Sequence, residues 1–389
     1  MSALIIRNVR IVIPGREILP GEVLVRDGRI AAVGAVDPTV AVGATIENGG
    51  GRLLTPGLID LHTHGIDTSL YERSAEELFA GAKALPKFGT TCVLPTLYRV
   101  MNRTSLTHLE RLADALPKVK DVCMPGFHLE GPFLALPGAG AETIPGDLGL
   151  LQELLAACRG RVLAMSISPD TPNIIPVIEA LAARKIVPLM THTRATAEQT
   201  QAAIDAGASH ATHFYDVFPV PEISEPGVRP VGAVEAILAN RQVSVDFICD
   251  GVHVSPFAIR AALAAKGWAG VVLITDSNIG AGLPPGVYDT PWGFQVRTRD
   301  GDGTRHAVNN TLAGSALTMN RGIANLTRWL TLPPEQIWAM GTANPARVLG
   351  LGRKGRMEAG ADADLVLWDN TFQPVKTWVQ GICTYEKNS

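Results

Sequence analysis

The spacing of apolar residues changes twice along the chain. Up to about residue 54, apolar and polar positions alternate in "ALIIRNVRIVI", "GEVLVRDGRIAAVG" and "ATIENGGGRLLTP", with Gly, Asn and Asp at the breaks. That pattern predicts short strands joined by turns. After Pro56-Gly57, apolar runs of about five to eight residues alternate with stretches of helical periodicity. The runs are "GLIDLHTH", "TTCVLPT", "VCMPGFHLE", "RVLAMSIS", "IVPLMTHT", "SHATHFY", "VSVDFICDG" and "GVVLITDS". Strands covered on both faces read as continuous apolar runs. Eight of them with helical crossovers predict an α/β fold, a (β/α)8 TIM barrel. Two more helical stretches follow, "ALTMNRGIANLTRWL" and "PEQIWAMGTANPARVLG". From about residue 355 the β-type alternation returns. The simplest arrangement packs residues 1–54 and 355–389 as one small domain beside a barrel spanning 55–354.

Composition narrows the class. Of 389 residues, 46% are hydrophobic and 18% charged, as in a compact enzyme with a large core. A net charge of −3 with mixed signs leaves no basic footprint for nucleic acid. The first residues read as a strand, not a signal peptide, and no charge-free apolar stretch reaches membrane-spanning length, so no membrane partner is expected. The five cysteines are scattered without CxxC spacing, which predicts reduced thiols and a cytoplasmic location.

The chemistry gathers at strand ends. A barrel of this type builds its active site at the C-terminal ends of its strands. His62 and His64 end the first predicted strand, Glu130 the third, His192 the fifth, His213 the sixth and Asp276 the eighth. His253 follows the seventh, in "CDGVHVSP". Residues two apart on a strand share a face, so Asp60, His62 and His64 point one way. His62, His64, Glu130, His192, His213 and Asp276 are the metal-ligating candidates. Imidazoles with carboxylates suit a divalent transition metal, one or two ions, with zinc foremost and iron the alternative. Asp276 is also the candidate to take a proton from water and pass it to a leaving amine. His253 is placed at the mouth as a substrate contact. His128 and His210 stand beside ligand candidates and are expected to hydrogen-bond behind them. His108 and His306 are expected on the surface.

These residues resemble the amidohydrolase superfamily, whose first-strand signature "PGLIDLHTHG" matches. Within it the chain is similar to the N-acetylglucosamine-6-phosphate deacetylase family. "HLEGPF", "ATHFYDVF", "DGVHVSP", "LITDSNIGAGLPPGVY", "LAGSALTMNRGIANL", "TANPARVLGL" and "KGRMEAGADADLVLWD" carry that likeness nearly end to end. The resemblance implies a metal-dependent barrel with a small β-sandwich built from both termini, and a homodimer. It implies Glu130, His192 and His213 as principal ligands and Asp276 as the catalytic aspartate. His62 and His64 would add a second metal position, with Glu130 as the bridge. His253 would contact the substrate and support its carbonyl oxygen. The substrate would be a small N-acyl compound, an N-acetylated amino sugar in the family at large.

The substrate pocket departs from that pattern. Asp216-Val217 stands where the family has Asn-Ala, Ser224 where it has an arginine, and Glu142 where it has a histidine. Arg229 is the nearby cation that would compensate. A carboxylate about 4 Å from a phosphate oxygen repels it by several kcal/mol near a protein surface. Two substrates therefore stay open: an amino-sugar phosphate, or a neutral or cationic N-acyl compound without phosphate. A catalytically silent barrel kept for binding is disfavoured by the complete ligand set.

Overall fold

The alternating segments at the two ends of the chain form a single seven-stranded sheet. The computed structural model describes residues 3–37, 43–138, 141–223 and 225–387. The sheet order is Ile382–Glu386, Pro374–Val379, Leu365–Trp368, Thr45–Pro56, Ala3–Ile13, Glu17–Arg26 and Arg29–Gly34. Thr45–Pro56 joins the two ends. It runs parallel to Ala3–Ile13, pairing Leu54 with Ile11, and antiparallel to Leu365–Trp368, pairing Leu54 with Leu367. The sheet curls until its far turns meet. Ala363 N donates to Gly28 O, and Gly381 N to Ala363 O. Ile6, Val9, Val23, Val25, Leu365 and Trp378 fill the space between as a sandwich core.

The eight apolar runs form an eight-stranded parallel sheet rolled into a barrel. Its strands are Leu58–Thr63, Thr90–Leu97, Phe127–Glu130, Val162–Ile167, Val187–Met190, His210–Ala211, Ser244–Ile248 and Val271–Ile274. Leu58–Thr63 is buried at every position, as a strand between a packed interior and a helical layer should be. The helices between strands begin on the expected signals. Ser74, Asp147 and Thr196 each accept a main-chain N–H of the first turn.

The first and eighth strands meet at the barrel seam. At its C-terminal end Asp276 N donates to His62 O and His64 N to Ser277 O, both at 2.9 Å. In the wall, the Asp60 carboxylate accepts from Thr275 Oγ1 at 2.5 Å and from Thr275 N at 3.3 Å. Burial pushes the Asp60 pKa up to about 7 against the pull of those bonds. The seam thus closes beside the residues that matter most.

One expectation needs correction. "PEQIWAMGTANPARVLG" is not one helix but two, Pro334–Met340 and Ala343–Val348. The break serves the barrel floor. Gly341 O accepts from Ile59 N at 2.9 Å, and Asn344 Nδ2 reaches Trp268 O and Val271 O at 2.8 Å each. The stretch after the eighth strand adds an element that the apolar spacing did not predict. Gly286–Asp289, Gln295–Thr298 and Arg305–His306 form a small antiparallel sheet packed through Val296 onto Leu70 and Ile279. Strands of two to four residues broken by Gly and Asp are too short to show a period. Among the described residues no helix is long and apolar enough to cross a membrane.

Candidate active site

Each candidate ligand is delivered by the end of a strand. His62 and Glu130 lie within the first and third strands, and His64 just beyond the first. His192, His213 and Asp276 follow the fifth, sixth and eighth, and all three have left-handed backbone, with φ of +48°, +34° and +47°. Such a conformation costs a non-glycine residue on the order of 1–3 kcal/mol, and persists where the surroundings over-determine it.

Glu130 sits at the centre. Its Oε1 lies 3.1 Å from His192 Nε2, 3.2 Å from His213 Nε2 and 3.7 Å from His62 Nε2. Its Oε2 lies 3.2 Å from His64 Nε2. Asp276 Oδ1 faces the other side, 3.1 Å from His64 Nε2 and 3.6 Å from His62 Nε2. The four histidines and Glu130 are buried. Burial works against every charge here, but the groups compensate one another. Contact with Glu130 raises the His213 pKa to about 10, and Asp276 and Glu130 raise that of His64 well above the ordinary value. In return the imidazoles, His62 foremost, hold Glu130 and Asp276 well below the usual carboxylate range.

The donor set fits a divalent transition metal. Three groups, His62/His64/Glu130, His62/His213/Asp276 and Glu130/His192/His213, each bring three ligand atoms within 4.8 Å of one another. His62 Nε2 and His192 Nδ1 are buried and have no hydrogen-bond partner. Orphaned buried ring nitrogens are costly unless something binds them. Main-chain carbonyls fix two rings. Thr96 O lies 3.2 Å from His64 Nδ1 and Asp216 O 3.2 Å from His213 Nδ1. A carbonyl only accepts, so the proton sits on Nδ1 and Nε2 turns to the centre.

The remaining sequence candidates divide. The His253 side chain is buried at the mouth, its Nδ1 2.6 Å from Asp250 Oδ2. Burial opposes its charge, but Asp250, Asp276 and Asp216 raise its pKa above the ordinary value. Asp216 therefore stands close enough to act on both His253 and His213. Val217 adopts a φ of +54°, and its carbonyl accepts from Thr193 N at 3.2 Å. Glu142 and Arg229 do not join the cluster by any hydrogen bond among the described residues. Glu142 is exposed and accepts from Asn102 Nδ2 at 3.1 Å. Arg229 is committed to Glu235 at 2.8 Å. Ser224 lies outside the described residues.

His128 and His210 bond to side chains behind the ligands. His128 Nε2 meets Ser166 Oγ at 2.8 Å, and His210 Nε2 meets Asp246 Oδ2 at 2.8 Å. The two expected surface histidines are tied in. His108 Nε2 bonds Glu72 O at 2.6 Å, and His306 stacks on Phe294. Sequence reasoning missed Thr96, Thr212, Asp246 and Asp250. Asp250 had a signal, three positions before His253 in "DGVH"; Thr212 had a weak one, between histidines in "HATH"; Asp246 had none.

Comparison with known proteins follows the same lines. The model of the amidohydrolase family matches residues 53–383. N-acetylglucosamine-6-phosphate deacetylase of Bacillus subtilis (strain 168) is 31% identical over 98% of this chain and 96% of its own length. The enzyme of that name from Lysinibacillus sphaericus is 30% identical over 94% of both. Among solved structures, a mutant N-acetyl-D-glucosamine-6-phosphate deacetylase from Mycobacterium smegmatis, in complex with N-acetyl-D-glucosamine-6-phosphate, superposes with a TM-score of 0.86. It is 28% identical, and the superposition covers 99% of this chain and 100% of that one.

Proposed function

The chain belongs to the amidohydrolase family, and from that premise we propose that it deacetylates an N-acetylated amino sugar of the N-acetylglucosamine-6-phosphate type. The observation that carries this is the clustering of Glu130, His62, His64, His192, His213 and Asp276 at the C-terminal ends of the barrel strands. Glu130, His192 and His213, with His62 and His64, would hold one or two divalent ions, zinc foremost and iron the alternative. Such an ion, when bound, polarises an acyl carbonyl and lowers the pKa of water.

The chain's own groups do the rest. Asp276 is ionised because the histidines around it stabilise its charge. It takes the proton of the attacking water and delivers it to the departing nitrogen, leaving an amine and acetate. His253 gives its Nδ1 proton to Asp250, and with the ring protonated, as its raised pKa favours, Nε2–H is left to stabilise the carbonyl oxygen as negative charge develops there. Asp276→Asn should fold and bind metal but lose about 10²- to 10⁴-fold in kcat. Near-normal turnover by that variant would sink the assignment of Asp276.

A second reading keeps the chemistry and drops the phosphate. It is favoured by the pairing of Arg229 with Glu235 and by the Asp216 carboxylate near His213 and His253. In this reading the substrate is a neutral or cationic N-acyl amine. Comparison of kcat/KM for N-acetylglucosamine 6-phosphate and its unphosphorylated parent separates the two. A preference for the phosphate ester of about a hundredfold, close to 2.7 kcal/mol, removes the second reading.

The division of labour is part of the proposal: residues 1–54 with 355–389 as a small supporting domain, and 55–354 as the catalytic barrel. A homodimer is supported by the exposed apolar side chains Val220, Ile223, Val228 and Val231 on one loop beyond the site. A cytoplasmic location is supported by five free thiols.

A further inference from the structure

Asp246, in the seventh barrel strand, is wholly buried. Three donors converge on its carboxylate. Oδ1 accepts from the main-chain N of His213 at 2.5 Å and from Thr212 Oγ1 at 3.2 Å, and Oδ2 lies 2.8 Å from His210 Nε2. Thr212 Oγ1 also lies 2.8 Å from His62 Nδ1. A hydroxyl has one proton to give, and a carboxylate can only accept. The Thr212 proton therefore goes to Asp246, and the Thr212 oxygen must accept from His62. That places the proton of a neutral His62 ring on Nδ1. Its lone pair stays on Nε2, the buried atom without a partner that faces Glu130 and Asp276.

We propose that Thr212 and Asp246 are positioning residues that hold His62 in the tautomer able to ligate through Nε2, while Asp246 sets the main chain of His213. This rests on the reading of the cluster as a metal site. His62 differs in this from two of its neighbours. The rings of His64 and His213 are fixed by main-chain carbonyls, which no side-chain substitution removes. The His62 ring is fixed by a relay of two side chains. Without the Asp246 acceptor, the Thr212 hydroxyl is free to donate to His62 Nδ1 and so to stabilise the tautomer whose Nε2 carries a proton and cannot ligate.

The test is zinc binding to metal-stripped full-length protein, by competition with a chromophoric chelator, with the cobalt(II) absorption spectrum as a second readout. Thr212→Val keeps the shape and removes the hydroxyl; Thr212→Ser restores it. Thr212→Val should weaken zinc binding by about 10- to 100-fold and alter the cobalt spectrum, while Thr212→Ser behaves as wild type. Asp246→Asn keeps an acceptor at Oδ1 and should resemble Thr212→Ser, whereas Asp246→Leu should resemble Thr212→Val. The threonine pair decides the matter if the leucine variant does not fold. Wild-type affinity and spectrum in Thr212→Val would overturn the proposal. So would equal losses in Thr212→Val and Thr212→Ser, which would point to packing. If wild type itself binds no zinc, the reading of the cluster as a metal site fails first, and that outcome is distinguishable from either.

Discussion

Acid should strip metal from this cluster steeply, because protons and the ion compete for the same ring nitrogens. Without metal the pKa values of His64 and His213 are raised, that of His213 to about 10. Glu130 and Asp276 are held below the carboxylate range and bring no proton at neutral pH. Near neutrality the metal-free cluster thus carries at least two protons that ligation must expel, on His64 and His213. A raised histidine pKa favours the protonated, metal-free form until the pH climbs past that value. Metal affinity should therefore rise with pH throughout the neutral range. Two protons or more give a slope of at least two in log K against pH, about a hundredfold per pH unit, or about 2.7 kcal/mol. The assay is zinc titration of stripped protein against a competing chelator between about pH 6 and pH 8. Calorimetry in buffers of different ionisation enthalpy counts the protons released. An affinity flat across that range, or release of less than one proton per chain, would refute the charge balance drawn for the cluster.

Three further outcomes follow from packing. A Cβ on Gly138 would stand 2.5 Å from His192 Cε1, so Gly138→Ala should lower metal content with little change in Tm; unchanged metal content would contradict it. Gly89 has a φ of +77°, and a Cβ there would meet the Trp368 ring at 2.3 Å, so Gly89→Ala should lower Tm while metal content stays at wild type. Lys354 is buried between Asp362 at 3.1 Å and Asp364 at 2.6 Å; Asp362 keeps Arg353, but Lys354→Met leaves the buried Asp364 carboxylate without a cation and should cost about 3–5 kcal/mol in urea unfolding. A cost below about 1 kcal/mol would mean that solvent reaches that carboxylate.

The barrel was legible because its strands are covered on both faces and so read as unbroken apolar runs. The ligand set was legible for a related reason. An apolar run that turns polar at its C-terminal end, as "GLIDLHTH" and "VCMPGFHLE" do, marks a place where the wall opens onto chemistry. What closes the barrel could not be read. Asp60 shares a strand face with His62 and His64, and the alternation alone makes it a third polar group for the site. Its carboxylate instead joins the first strand to Thr275, 215 residues away. The sheet at 286–306 was hidden because its strands are shorter than any periodicity test. Arg229 was read as a free cation because nothing in "VRPVGAVE" announces that Glu235, one helical turn into the next element, will bind it.

The backbone of the site was hidden more deeply still, and this bears on how the metal ligands are made. Left-handed conformation is legible where glycine supplies it, but here it falls on His192, His213 and Asp276, whose side chains do not announce it. Strained residues of this kind are held by surrounding bonds, and those bonds can be named. Asp276 N is tied to His62 O across the seam, His213 N to Asp246, and His192 O to Leu136 N and Ser168 Oγ. His62 and Glu130 lie within strands and carry no such strain. For His62 the geometry left undecided by the backbone is the position of one ring proton, which Thr212 and Asp246 supply. Two kinds of control therefore meet in the cluster: strained main chain held by bonds for His192, His213 and Asp276, and a side-chain relay for His62. Substitutions behind the first kind should change stability and metal binding together, because they release strain as they displace a ligand. Substitution of Thr212, the relay member that holds none of these strained segments, should change metal binding with little change in stability. Ser168→Ala, which removes a hydroxyl bonded to Thr191 O and His192 O, belongs to the first group, and Thr212→Val to the second. Metal affinity and urea stability measured on that pair would show whether the two kinds of control are separate, and a large stability loss in Thr212→Val alone would show that they are not.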